Sequence, residues 1–377
     1  MRANVGASLV LGALTIARGA PAEELSLDVH GFVAAQAAID SNDAGQQTQI
    51  SYVPGSGSSV RTSFAFDASR VAVHARSWSD DREHPDADAA FEFDLQNAMH
   101  FRPRQVFVRA ALPFGHALVG LSDTLVGNRV GPHLFNNQWL WGQGNAYDRV
   151  PQLRVEVEAS WFYGAVAAVP SAVVEEYTSV PHVQARLGIR RGAVSLGLSG
   201  HGGVTSASAL RRASSANGPL PAQALVSVLG SLDLQIDLAA VVFTAQAWWS
   251  RAGGSGTGAQ AIGGAQYLVG ADGSVCAPDS FGGFVDVMYR RGRLAAGVTL
   301  GTNTVPDSSR CGADATSLAA NETIDSYLYW HFTERLVGVV EFQESITRYR
   351  AAGSGTRAYE CSICADARYL TGAKFDF

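Results

Sequence analysis

The sequence lacks any long hydrophobic run beyond its N-terminus and is sparing with charge, at 16% Asp, Glu, Lys and Arg. No stretch of about 18 apolar residues is available, which excludes a membrane-spanning helix. Sustained helical periodicity is equally scarce. Cysteine is limited to Cys276, Cys311, Cys361 and Cys364, too few to staple a chain of 377 residues. The Cys361-x-x-Cys364 pair has no second such pair and no nearby His, so a zinc or redox centre is not expected. No G-x-S-x-G nucleophile motif occurs, and the nine His residues are scattered, so neither a catalytic residue nor a metal or cofactor site is expected. The formal charge of −6 gives no basis for nucleic-acid binding.

What is present is dispersed hydrophobicity. Apolar residues make up 47% of the chain, yet the mean hydropathy is only +0.04. Such a chain spreads its apolar side chains in alternation. At the N-terminus, Arg2, the apolar run Val5 to Ile16 and Ala20-Pro21-Ala22 read as a basic region, a hydrophobic region and a cleavage site. Residues 1–22 are therefore expected to be a cleaved signal peptide and residues 23–377 one domain. Cleavage after Gly19 is an alternative. Removing Arg2 and Arg18 takes the formal charge from −6 to −8.

From Leu25 onward, period-2 segments recur to the C-terminus. Their spacing predicts about sixteen strands, and the connections alternate in length. Short links such as Pro113-Phe114-Gly115, Arg190-Arg191-Gly192 and Arg291-Gly292 are followed by Gly-, Ser- and Asn-rich linkers. A soluble sandwich has no reason to gather its long loops at one end. The pattern predicts an all-β fold, a transmembrane antiparallel β-barrel with short periplasmic turns and long extracellular loops. A charge facing lipid at mid-depth costs about 2–4 kcal/mol, so the charged face of each strand must look inward. Trp161, Phe162, Trp249, Tyr289, Trp330 and Phe332 stand near strand ends, as interfacial aromatic belts require.

A barrel of this size holds a water-filled channel, which points to passive passage of small hydrophilic solutes. Arg70, His74, Arg76, Glu92, Asp94, Arg109, Arg154, Glu156 and Arg186 are the expected pore-lining and selectivity residues. Guanidinium groups present forked donors that match carboxylates. The same charges read equally well as wall-stiffening ion pairs. Leu125 to Arg149 reads either as a loop folded inward as a constriction or as an outer-surface loop. Within the long linker at about 252–280, the stretch Ala261 to Gly270 is a candidate small extra strand. Disulfides are the default after export, with Cys276–Cys311 and Cys361–Cys364 the favoured pairing of three. A non-conducting structural or adhesive barrel is the alternative function, and a barrel enzyme a weaker one.

The last strand, Tyr369 to Phe377, alternates Tyr369, Phe375 and Phe377 with Leu370, Lys374 and Asp376. It resembles the C-terminal assembly signal of bacterial outer-membrane proteins, which implies the barrel-assembly machinery as a partner and a bacterial outer membrane with its lipid and lipopolysaccharide. Ala68-Ser69-Arg70-Val71, Phe91-Glu92-Phe93-Asp94-Leu95, Gln105 to Ala110, Gly120-Leu121-Ser122-Asp123-Thr124 and Arg149-Val150-Pro151-Gln152-Leu153-Arg154 together resemble the DcaP-like porins. Position 121 carries Leu where that family tends to have Gln. The resemblance implies a 16-stranded homotrimer passing small anionic solutes such as dicarboxylates, with Arg70, Arg109 and Arg154 lining the pore.

Overall fold

A computed structural model gives the architecture. It describes residues 24–41, 60–66, 69–78, 86–96, 100–127, 144–146, 148–170, 180–206, 224–251, 268–269, 275–277, 279–306, 318–349 and 363–377. The strands are β1 (Glu24–Asp40), β2 (Arg61–Ala65), β3 (Arg70–Trp78), β4 (Ala87–Gln96), β5 (His100–Leu112), β6 (Gly115–Asp123), β7 (Arg149–Glu158), β8 (Phe162–Val169), β9 (His182–Arg191) and β10 (Val194–Ser206). They continue as β11 (Ala224–Leu238), β12 (Val241–Arg251), β13 (Leu268–Val269), β14 (Val275–Cys276), β15 (Asp279–Arg291), β16 (Leu294–Thr304), β17 (Leu318–His331), β18 (Leu336–Tyr349) and β19 (Ile363–Asp376).

Each strand pairs antiparallel with its neighbours in chain order, apart from the separate β13–β14 hairpin. β2 and β3 pair with successive stretches of β1, so they form one interrupted stave. β1 also pairs with β19, and the sheet closes as sixteen staves. The period-2 pattern that predicts about sixteen strands is thus realised. The predicted small strand within 261–270 falls partly at β13.

The faces alternate as the sequence requires. Along β18, Val337, Val339, Glu341, Gln343, Ser345 and Thr347 are buried inside the barrel, while Val340 is exposed outside. Large apolar residues such as Leu27, Val33, Val119, Leu187, Leu232, Leu300 and Val340 cover the outer surface. On a soluble protein this band would be an aggregation surface; in hydrocarbon it is the solvent-matched face. Among the described residues, outward charges lie toward strand ends: Arg191 and Arg291 at one rim, Arg251–Asp279 and Arg348–Glu322 ion pairs at the other, with Glu344 near them. Trp161, Trp330, Phe332, Phe375 and Phe377 are exposed near the rim that carries the short turns.

The wall is uneven in height. β6 to β9 have between 8 and 10 residues each, whereas β11, β15, β17, β18 and β19 have between 13 and 15. The long linker 124–148 leaves from this low side.

At the seam, Asp376 pairs with Phe32 and Arg368 with Asp40. Arg368 donates through Nε to Asp40 Oδ1 at 2.5 Å and through Nη2 to Oδ2 at 3.2 Å. Both side chains are buried. Ser41 Oγ adds a bond to Asp366 Oδ1 at 3.0 Å and accepts the Ala367 N–H at 2.8 Å. Below them, Lys374 Nζ sits 4.6 Å from the Phe32 ring. Removing one partner of a buried pair leaves an uncompensated charge, whereas removing both is tolerated. Arg368→Met is expected to destabilise the barrel by about 3–5 kcal/mol in urea unfolding from lipid. Asp40→Leu combined with Arg368→Met is expected to regain most of that loss. An unchanged midpoint for Arg368→Met would show that closure does not depend on the pair.

Candidate functional site

Every charged residue singled out from the sequence lies on the lumen face of its strand, and the structure groups them by wall. On β3 to β9, arginines alternate with carboxylates. Arg70 Nη1 reaches Glu92 Oε1 at 3.2 Å. Arg109 grips Asp88 with two bonds of 3.0 and 2.9 Å. Arg154 Nε lies 2.9 Å from Glu156 Oε1, and Tyr163 Oη donates to the same oxygen at 3.1 Å. Arg186 donates to Asp233 Oδ1 at 2.6 Å. Arg76 and His74 continue the β3 face toward the rim of short turns, where His74 lies 4.9 Å from the His30 ring.

Two members of this wall escape a strict alternation. The β4–β5 register shifts between Glu92 and Phe93, so that Gln105 faces Glu92 while Pro103 faces Phe93. Arg104 is the extra residue of this β-bulge. Period-2 counting back from Val106 and Val108 puts it on the lipid face; the bulge turns it inward, onto Glu92 at 3.1 Å and onto Asp94. Arg102 then also faces inward and clamps Asp94 at 3.0 and 2.7 Å. Their exposure separates their roles. Arg104 is 5% exposed and acts as scaffold, whereas Arg102 at 44% and Arg109 at 34% stand open to the lumen.

The facing wall has the opposite character. Among the described residues, the lumen faces of β12 and β15 to β18 carry Asp286, Asp325 and Glu341 and no Lys or Arg, apart from Arg290 at the turn. Thr299 Oγ1 and Tyr327 Oη donate to Asp286 Oδ1 at 2.6 and 3.0 Å, and Tyr329 Oη donates to Glu341 Oε1 at 3.0 Å. Beside them lies an apolar lumen patch absent from the sequence reading: Val242, Met288, Ala295, Val337, Val339 and Leu370, packed with Tyr327 and Tyr329.

Between the walls, the described ends of the linker 124–148 fold inward. Leu125 N–H donates to Gln184 Oε1 at 3.0 Å, and Arg186 Nη1 donates to the Leu125 and Gly127 carbonyls at 3.4 Å each. At the returning end, Trp248 Nε1 donates to Gly144 O at 2.7 Å, and Ala146 N–H donates to Gln246 Oε1 at 3.0 Å. Val126 and Ala146 pack with Leu229 and Trp248. Gly144 has φ +125°, and a Cβ there would lie 2.1 Å from the Gly283 carbonyl on β15. The linker starts at β6 and β7 but docks on β9, β12 and β15, so its ends take the inward of the two readings. Residues 128–143, with Asn136, Asn137, Trp139 and Trp141, lie outside the described residues. Burial raises the Asp148 carboxyl above its ordinary range, partly offset by the Arg149 N–H at 2.7 Å.

Arg186 reaches Asp233 by crossing β10 over Gly197. A Cβ at Gly197 would stand 2.4 Å from Arg186 Nη2 and 2.6 Å from Asp233 Oδ2, so only glycine leaves the passage open. Cys364 is disulfide-bonded. Cys311 and Cys361 lie outside the described residues, as does the segment 1–22.

No protein-family model and no curated protein sequence matches the chain. Solved structures do. The outer membrane channel DcaP of Acinetobacter baumannii superposes with TM-score 0.73 at 14% identity, covering 94% of this chain and 98% of that one. An anion-selective porin from Comamonas acidovorans gives 0.60 at 11% identity, covering 94% and 100%. The trimer form of Vibrio cholerae OmpT gives 0.59 at 10% identity, covering 94% and 99%. The chain thus has the porin fold.

Of the bonds that tie the linker's returning end, the Trp248 indole bond can be removed without losing the ring's packing. Trp248→Phe is expected to cost about 1 kcal/mol of that anchoring. Single-channel records should show larger current fluctuations with unchanged barrel migration on gels. Quiet records identical to the unsubstituted channel would mean that the bond does not hold the linker.

Proposed function

We propose that the protein is a porin of the bacterial outer membrane, passing small hydrophilic solutes by diffusion with a preference for anions. The carrying observation is the lumen itself: a closed barrel with an arginine-rich wall faced by a carboxylate wall, and a linker docked between them. Opposed charges set a field across the lumen that orients dipolar and anionic solutes against the arginines. Arg102 and Arg109 meet the solute most directly, while Arg70, Arg104, Arg154 and Arg186 fix the carboxylates and the linker in place. The anion-selective porin among the similar structures supports this preference, and DcaP supports a channel role.

Residues 1–22 direct export and are removed. The C-terminal strand, with Tyr369, Phe375 and Phe377, is the signal for the barrel-assembly machinery, and the outer surface meets lipid and lipopolysaccharide. A homotrimer is the assembly, as in the Vibrio cholerae trimer. Cys276–Cys311 and Cys361–Cys364 are the disulfides, tying the loops at the rim opposite the short turns. No enzymatic step is assigned.

In planar bilayers the purified protein should insert in discrete conductance steps and show a reversal potential of anion-selective sign under a salt gradient. Arg102→Ala with Arg109→Ala should move that potential several-fold toward cations in permeability ratio. A reversal potential unaffected by the double change would remove these arginines from selectivity, and a protein that never conducts would sink the channel reading.

A further inference from the structure

The arginines of the lumen wall hold carboxylates; a second set does not. Five consecutive turns at the rim of short turns join β7 to β8, β9 to β10, β11 to β12, β15 to β16 and β17 to β18. On and beside them, Arg191, Arg291, Arg293 and Arg335 are exposed and, among the described residues, engage in no ion pair. Arg290 is neutralised by Asp237 at 2.7 Å. Among the described residues of this arc, the exposed acids without ion-pair partners are Glu158 and Glu334, so it carries a surplus of positive charge. Two of the turns repeat one motif, Arg190-Arg191-Gly192 and Arg290-Arg291-Gly292.

Exposed apolar side chains accompany these cations. Trp161, Leu238, Trp330 and Phe332 stand on the same turns or one or two residues before them, and Tyr289 directly precedes Arg290. Aromatics at a barrel rim mark the boundary between hydrocarbon and headgroups. A guanidinium a residue or two beyond that boundary lies at headgroup depth, its stem along the apolar layer.

We propose that this arc is a docking surface for anionic phospholipid of the periplasmic leaflet, its arginines binding the phosphodiester and negative headgroup of lipids such as phosphatidylglycerol. Guanidinium forks match phosphate oxygens in pairs, and the surplus charge favours an anionic lipid over a zwitterionic one. The apolar belt beside each cation is why the partner is a lipid rather than a soluble polyanion or the cell wall.

The test uses the full chain in phosphatidylcholine vesicles carrying either spin-labelled phosphatidylglycerol or spin-labelled phosphatidylcholine. Lipid association read from the immobilised spectral fraction should favour phosphatidylglycerol by about fivefold or more, falling with added salt. Arg191→Ser, Arg291→Ser and Arg293→Ser together should bring the ratio near one, and Lys at the same positions should restore most of it. Conductance steps of the triple variant should match the parent, which separates this proposal from the channel reading and from misfolding. Equal association of both lipids with the parent overturns the proposal, as does a preference surviving in the triple variant. Binding to purified peptidoglycan that depends on these arginines, without a lipid preference, assigns the arc to the cell wall and overturns it as well.

Discussion

Hydrocarbon offers no hydrogen bonds, so each backbone N–H and C=O within it has to find a partner in the chain. A sheet meets that requirement only by closing on itself. The pairing of β1 with β19 is therefore the condition for everything else: it abolishes the free edges and fixes an inside and an outside. Once the faces are fixed, period-2 alternation sorts every side chain, and charge is forced into the lumen.

Charge confined to a lumen still has to be compensated. On the β3–β9 wall this is done locally, by setting arginines against carboxylates on adjacent strands, as with Arg109 and Asp88. On the opposite wall the carboxylates instead accept hydroxyls from Thr299, Tyr327 and Tyr329. The linker ends dock on β9, β12 and β15, through Gln184, Arg186, Gln246, Trp248 and the backbone near Gly283. Arg102 and Arg109 remain the more exposed arginines of the basic wall.

The barrel was legible because lipid enforces strict alternation over a whole stave, which a reader can count. Lumen residues on regular stretches, such as Arg70, Glu92 and Arg154, follow from the same count. Arg104 and Arg102 did not, because a bulge is one residue out of phase and leaves no mark in composition. Val337 and Val339 were hidden because the start of β18 is apolar on both faces, Leu336-Val337-Gly338-Val339-Val340, so alternation carries no sign there. Trp248 was invisible as an anchor because its partner, Gly144, is 104 residues away in sequence and contributes only a carbonyl. Contacts of that kind are set by the closed shape, which no local pattern encodes.

The bulge at Arg104 has a consequence for how such a barrel changes length over time. Losing one residue from a regular stretch of a stave turns the rest of that strand inside out, putting cations into lipid and valines into water. β5 contains one position exempt from this. If Arg104 is lost, Pro103 and Gln105 remain opposite Phe93 and Glu92, and both flanks keep their faces. The chain can gain or shed a charge at this point without re-registering its neighbours. A bulge thus lets the register of β5 survive a deletion here, although the deletion also removes the guanidinium that holds Glu92 and Asp94.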